Sequence, residues 1–156
     1  MLYLAVVCLT MFLLPLGSVA AEHTFRPETP LILLAGKWFV FWGVGVRLVL
    51  AGARQVMQPA FTAREIVHIE SSEALPLVRE LGIANFATGV VGLASLLASS
   101  FVLPVAISAA IFYGVAGIRH VAERGRSRNE TVALVSDLWM FAVLAAFAGA
   151  SILTSR

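Results

Sequence analysis

The chain has 156 residues, of which 60% are hydrophobic and 13% are charged, and its mean hydropathy is +0.92. A soluble domain is typically about 45–50% apolar and about 25% charged. A chain this short and this apolar has too little polar surface to cover a water-facing globule. The composition therefore excludes an ordinary soluble domain and indicates an integral membrane protein.

The charge and cysteine content exclude several further classes. The net charge is +2, and no aromatic residues interleave with a basic stripe, so no nucleic-acid partner is predicted. The lone Cys8 excludes an intramolecular disulfide and a cysteine-based zinc cluster. The partners that we expect are membrane lipids, and either a second copy of the chain or a larger membrane complex.

Five apolar stretches are long enough to cross a hydrocarbon core, which takes about 20 residues. Backbone polar groups in lipid need partners within their own segment, and long apolar runs meet that need as helices. We therefore predict an all-α, multi-pass transmembrane bundle, with a four-helix core in residues 30–153 preceded by an N-terminal hydrophobic helix. The stretches run from Leu2 to Ala21, Leu31 to Ala53, Leu81 to Ser99, Phe101 to Ile118 and Val132 to Leu153.

Residues 1–21 fit two interpretations. Ser18-Val19-Ala20 has the small-x-small form of a signal-peptide cleavage site after an apolar region. No lysine or arginine precedes Arg26, however, and the apolar run is longer than usual for a signal peptide, which favours a retained transmembrane helix. The sequence leaves both interpretations open.

The long connection between the second and third stretches has a pattern of its own. Thr62-Ala63-Arg64-Glu65 has the T-x-x-E form of a capping box, and Ile66, Val67 and Ile69 follow it. This pattern predicts a short amphipathic helix at the membrane interface.

The arginines predict an orientation. With five crossings, residues 54–80 and residues 119–131 share one side of the membrane, and the positive-inside rule places the arginine-rich side in the cytoplasm. The localisation that we expect is the bacterial inner membrane, with these two segments cytoplasmic. The arginine-rich side holds Arg54, Arg64, Arg79, Arg119, Arg124, Arg126 and Arg128, whereas the opposite side holds Arg26 and Arg156.

Four polar residues inside or near the spans form the candidate ligand-binding site: Arg47, Asn85, His120 and Asp137. An ionisable group within a membrane span costs about 2.5–3.5 kcal/mol on insertion scales, so it normally faces a partner or a watery cavity. Antiparallel packing places these four at a similar depth near the cytoplasmic side. Arginine and asparagine offer donors, aspartate accepts and histidine does either, so the set could hold a polar headgroup.

An alternative interpretation is an ion-pair network that fixes the helix register, because pairing is the ordinary state of intramembrane charges. In that interpretation Arg47 pairs with Asp137 or Glu80, and Arg54 and Glu130 complete the network.

Small residues four apart predict close helix packing. One row lies on each of the last three stretches: Ala84, Thr88 and Gly92; Ala106, Ala110 and Gly114; Ala142, Ala146 and Ala150. Phe86, Phe112 and Phe141 are expected to supply aromatic walls beside the polar cluster.

No catalytic signature supports an enzyme. The chain contains no G-x-S-x-G motif, no phosphate-binding loop and no cysteine–histidine pair. Its histidines, His23, His68 and His120, lack a second ligand at helical spacing, so neither a metal nor a catalytic residue is predicted.

These residues resemble those of a bacterial family of small membrane proteins of unknown function, and the core is similar to the four-helix DoxX-like superfamily. The similarity covers roughly residues 36–145. It rests on Lys37-Trp38-Phe39 to Arg47-Leu48, Arg54-Gln55 to Phe61-Thr62, Arg79-Glu80-Leu81-Gly82 with Asn85, Gly117-Ile118-Arg119-His120, and Asn129-Glu130 to Ser136-Asp137-Leu138.

Two functions follow as expectations. The first is a non-enzymatic bundle that binds a small ligand or serves as an accessory subunit. The second, which the DoxX-like resemblance implies, is a component of a quinone-linked membrane oxidoreductase in which Arg47 and His120 contact a quinone headgroup. The chain lacks the cysteine pair that thiol redox chemistry would need.

The orientation can be tested with reporter fusions at Ser127 and at the C-terminus. Because seven arginines lie on one side and two on the other, we expect the Ser127 fusion to report the cytoplasm and the C-terminal fusion the opposite compartment. A C-terminal fusion that reports the cytoplasm would refute this topology.

Overall fold

The computed structural model describes residues 2–65, 71–122 and 127–154. These ranges form helices and contain no strand, and five of the helical segments are long and apolar enough to cross a membrane. The all-α, multi-helix prediction is confirmed for this part of the chain. We number the helices α1 (Leu2–Phe25), α2 (Leu31–Met57), α3 (Pro59–Glu65), α4 (Leu75–Ala94), α5 (Val102–Ala122) and α6 (Arg128–Thr154).

Two predicted segments have different bounds in the structure. α4 begins at Leu75 and ends at Ala94, several residues before the predicted stretch at both ends. Its first turn holds a proline, which suits that position, and the charged Arg79 and Glu80 remain exposed. α3 begins at Pro59, so Thr62 lies inside the helix rather than at its cap. The predicted continuation over residues 66–69 lies outside the described residues.

α2 is the central helix. It packs against α1 on one side, α4 on another and α6 on a third. Phe39, Val40 and Val44 of α2 are almost fully buried, together with Met140 and Leu144 of α6. The contiguous hydrophobic core draws its described members from α1, α2, α5 and α6, and α4 contributes none.

α4 instead packs against α2 through glycines. A Cβ atom placed on Gly52 would lie 2.5 Å from the carbonyl oxygen of Gly82, and one on Gly89 would lie 2.6 Å from the backbone nitrogen of Val49. A Cβ on Gly92 would lie 2.8 Å from the Cα of Gly45. The two backbones therefore touch directly, which is how membrane helices associate where no hydrophobic effect drives them together.

The three predicted rows of small residues differ in how far they are buried. The row on α5 is buried, as predicted. On α4 the predicted row is right only at Gly92, which is buried, whereas Ala84 is exposed; the other buried residues are Val78, Gly82, Asn85 and Gly89. On α6 the predicted row is also largely exposed. There the packing is reversed, because the large side chains Met140 and Phe147 of α6 fill the space over Gly43 and Gly36 of α2.

α1 is joined to α2 by polar contacts at the end opposite the candidate site. Lys37 Nζ lies 2.7 Å from a carboxylate oxygen of Glu22, and Trp38 Nε1 donates to the same carboxylate at 2.7 Å. Farther along, Trp42 Nε1 donates to Ser18 Oγ at 3.0 Å. α1 is thus joined to α2 by side chains within and just after the Ser18-Val19-Ala20 segment.

The glycine contact predicts the effect of adding one methyl group. Gly52→Ala would place a Cβ within 2.5 Å of backbone atoms of Gly82 and Phe86, and we expect a loss of about 1–3 kcal/mol, as for other overpacked sites. Gly17→Ala is the matched control, since nothing lies within 4 Å of its Cβ position. Thermal unfolding in detergent or nanodiscs should distinguish the two variants. Equal stability would show that the backbone contact is not close.

Candidate functional site

A cavity of about 620 Å³ lies at the end of the bundle formed by the N-termini of α1, α4 and α6 and the C-termini of α2 and α5. Its size is within the range of about 300–1,000 Å³ that is usual for small-molecule sites. Arg47, Asn85, His120 and Asp137 all line it. The structure therefore brings the four sequence-predicted site residues together, and their role in binding stays a prediction.

Arg47 occupies an unusual position in the wall. Its Nε is buried and has no hydrogen-bond partner in the described part of the chain. The guanidinium carbon lies 5.7 Å from the ring centroid of Tyr3, within the distance of about 6 Å at which a cation and an aromatic face attract each other.

The direct ion pair expected of Arg47 is absent among the described residues, since no carboxylate there lies within 4.0 Å of its guanidinium. Glu80 is exposed and is not among the residues that line the cavity. Asp137 shares the cavity wall with Arg47 and interacts with it and with His120 over a longer range.

The other expected members of the ion-pair network have different contacts. The Arg54 guanidinium carbon stacks 3.6 Å from the ring centroid of Phe61. Glu130 is part of a capping box at the start of α6: one of its carboxylate oxygens accepts from the Ser127 backbone N–H at 2.6 Å, and the Ser127 hydroxyl accepts from the Glu130 N–H at 3.2 Å. Sequence reasoning missed this S-x-x-E capping box.

Asn85 is 7% exposed, and its side chain is fixed across the glycine contact between α2 and α4. Its Nδ2 donates to Gln55 Oε1 at 2.8 Å. The amide oxygen of Asn85 and the amide nitrogen of Gln55 are left for other partners. Both residues line the cavity. The Asn85 oxygen is therefore an acceptor, and the Gln55 nitrogen a donor, that the cavity wall can offer to a ligand.

A wide turn in α2 shapes the wall just before Arg47. Residues Val40–Val46 form a π-helical segment, in which the Arg47 N–H bonds to the carbonyl of Trp42. The carbonyl of Gly43, which would be its partner in an α-helix, is thereby released. It accepts a 2.7 Å hydrogen bond from the Tyr113 hydroxyl of α5. Tyr113 therefore replaces the missing backbone donor, as a lipid environment requires.

A second wide turn lies in α1, at Leu9–Leu13. Pro15 has no N–H, so the carbonyl of Met11, four residues earlier, has no α-helical donor. Trp139 Nε1 of α6 donates to this carbonyl at 3.0 Å. π-helical segments are frequent at functional sites, and here both lie next to the cavity, which Met11 and Tyr113 help to line.

Sequence reasoning missed Tyr3, Gln55, Thr62 and Tyr113, all of which line the cavity. Tyr3 and Tyr113 lie in apolar stretches without a recognisable pattern. Of the three expected aromatic walls, Phe112 lines the cavity. Phe86 packs beside Gly52 and Phe141 beside Gly114, and neither belongs to the lining.

Within the described ranges, no three histidine, cysteine, aspartate or glutamate side chains come together to hold a metal ion. The groups on the wall are instead suited to hydrogen bonding and to charge: two arginines, one aspartate, one histidine, two tyrosines, two amides and two hydroxyl-bearing side chains, Ser108 and Thr62.

A family model described as a family of unknown function, DUF6790, matches residues 1–155, so the chain belongs to that family. The expected membership of a family of unknown function is confirmed. The match also includes the first helix, which lies outside the resemblance over residues 36–145. No curated protein and no solved structure matches the chain. Nothing in these comparisons supports the similarity to the DoxX-like superfamily.

The hydrogen bond from Tyr113 to the α2 carbonyl can be tested by Tyr113→Phe. Removing the hydroxyl leaves the buried Gly43 carbonyl without its 2.7 Å donor, and we expect a destabilisation of about 1–3 kcal/mol. Thr88→Val is the control, because the Thr88 hydroxyl bonds only to a carbonyl of its own helix, at 2.9 Å. Unfolding in detergent measures both variants. A Tyr113→Phe protein as stable as the control would argue against the released carbonyl.

Proposed function

We propose that this protein is a non-enzymatic, multi-pass membrane protein that binds a small ligand with a polar head in the cavity between its helices, acting alone or as an accessory subunit. The observation that carries the proposal is the position of Arg47, which lines the cavity and has no carboxylate within 4.0 Å among the described residues.

A cation within a membrane span is energetically unfavourable when no opposite charge lies near it. Such a group costs about 2.5–3.5 kcal/mol on insertion scales. An anionic ligand group at Arg47 would offset part of that cost when it binds. Arginine also binds carboxylates and phosphates through two parallel hydrogen bonds, which makes it a strong anchor for such a head.

The remainder of the wall fits the same ligand. Asn85 and Gln55 hold each other at 2.8 Å and keep one acceptor and one donor free. Leu48, Ala51 and Leu81 supply apolar surface nearby. A few converging polar groups in a mostly apolar cavity are typical of small-molecule sites. Tyr3 and Met11 belong to this wall, so the proposal includes α1 as part of the binding site.

The proposal places the protein in the bacterial inner membrane with residues 54–80 and 119–131 in the cytoplasm. The seven arginines of these segments support that orientation. The cavity then lies in the cytoplasmic half of the bilayer. Membrane lipids are the proposed partners of the exposed apolar faces, and association with a second copy or a larger complex stays a prediction.

A quinone-linked oxidoreductase is the second candidate. His120 is 6% exposed and interacts with Asp137 on the wall that also holds Arg47. An imidazole and a carboxylate are both common proton donors and acceptors, so this pair could exchange protons with a quinone headgroup. A quinone in the lipid extract of the purified protein would favour this candidate over a non-enzymatic site.

Two substitutions test the ligand site. Native mass spectrometry and lipid extraction of the purified protein should show a retained small molecule, and we expect Arg47→Gln and Asn85→Leu to reduce its retention about tenfold, equivalent to about 1.4 kcal/mol. Arg79→Gln is the matched control for Arg47→Gln: it removes the same charge, but Arg79 is exposed and does not line the cavity.

Thermal unfolding of each variant separates a loss of ligand from a loss of fold. A wild-type protein that retains no small molecule would refute the proposed function. Equal retention by Arg47→Gln and Arg79→Gln, with both folded, would leave the cavity without a binding role.

A further inference from the structure

The cavity is bounded on one side by two helices that barely touch. α4 packs along α2 through its glycines, whereas its contacts with α5 are few in the described part of the chain. The short connection at residues 95–98 holds α4 and α5 together at the end remote from the cavity. At the cavity end, α5 packs against α6 instead. A gap between α4 and α5 therefore faces the surrounding bilayer.

Residues in this gap belong both to the cavity wall and to the outer surface. Ile111 and Val115 of α5 are 64% and 65% exposed, and Leu81 of α4 is 41% exposed. All three line the cavity. Side chains that line a closed cavity would be shielded from the outside. These three are exposed on the surface of the bundle, so the cavity opens sideways at this position. The surface around the opening is apolar, as is suitable for contact with lipid chains.

Arg47 favours an anionic head on the ligand. It lines the cavity, and no carboxylate of the described residues lies within 4.0 Å of its guanidinium. A singly charged phosphodiester is suited to this position, since arginine pairs well with phosphate oxygens.

We propose that the ligand is a membrane lipid with a singly negative phosphodiester head, which enters sideways through the gap between α4 and α5. Its head contacts Arg47 and its chains lie in the gap against Leu81 and Val115. This proposal rests on the proposed function, because it assigns a ligand class and an entry route to the same cavity.

Lipid exchange tests the route. The protein is reconstituted with equal parts of phosphatidylglycerol and phosphatidylcholine, extracted, and examined by native mass spectrometry for retained lipid. Deuterated phosphatidylglycerol is then added in vesicles and its exchange is followed over time. We expect selective retention of phosphatidylglycerol, lost in Arg47→Gln, and exchange that Val115→Trp slows about tenfold by obstructing the gap.

Ile118→Trp is the matched control for the obstruction. Ile118 lies on the same helix and is 66% exposed, nearly the same as the 65% of Val115, but it does not line the cavity. This variant should exchange phosphatidylglycerol as fast as the wild type. Ile111→Trp, at a second position in the gap, should reproduce the slow exchange if Val115→Trp fails to fold.

The outcomes separate this inference from the proposed function. Equal exchange rates in all the tryptophan variants, or displacement of the lipid by inorganic phosphate added in water, would overturn the sideways route. Retention of phosphatidylcholine or a quinone in place of phosphatidylglycerol would overturn the ligand class and leave the binding function standing. Retention of no molecule would refute both.

Discussion

The backbone contact between α2 and α4 determines the arrangement of the rest of the bundle. Lipid chains are as apolar as the helices, so helices associate in a membrane by close packing rather than by a hydrophobic effect. Gly45, Gly52, Gly82 and Gly89 allow that packing, because each lacks the Cβ that would collide with the opposite backbone. α4 is thereby held on α2 and away from α5, while α5 packs on α6. The cavity is the space left between these two pairs.

Backbone hydrogen bonding is the second constraint, and it connects α1 and α2 to α5 and α6. The π-helical segments of α1 and α2 release carbonyls inside the bundle, where each needs a donor. Trp139 of α6 reaches the carbonyl of Met11, and Tyr113 of α5 reaches that of Gly43. The side chains that repair the backbone thus also link α1 and α2 to α5 and α6.

The sequence predicts the helices and the depth of the polar residues, since both depend on position along the chain. It is less informative about which face of a helix is buried. The exposed Ala84 and Ala142 follow a spacing of four that also occurs on lipid-facing surfaces, and the true contact at Gly82 and Gly89 depends on glycines of α2. The π-helical turn in α2 changes the buried face further. Its one extra residue rotates the remainder of the helix, including Arg47, by about 100° relative to a regular α-helix.

Arg47 also shows why an ion-pair lock explains the cluster poorly. The register of α4 on α2 is set by the glycine contact and by the hydrogen bond between Asn85 and Gln55. That of α1 on α2 is set by the ion pair of Lys37 with Glu22. Arg47 has no carboxylate within 4.0 Å among the described residues, so it adds nothing comparable to either register. Tyr3 lies against its guanidinium at 5.7 Å, and the cavity beside Arg47 is large enough to hold a further partner.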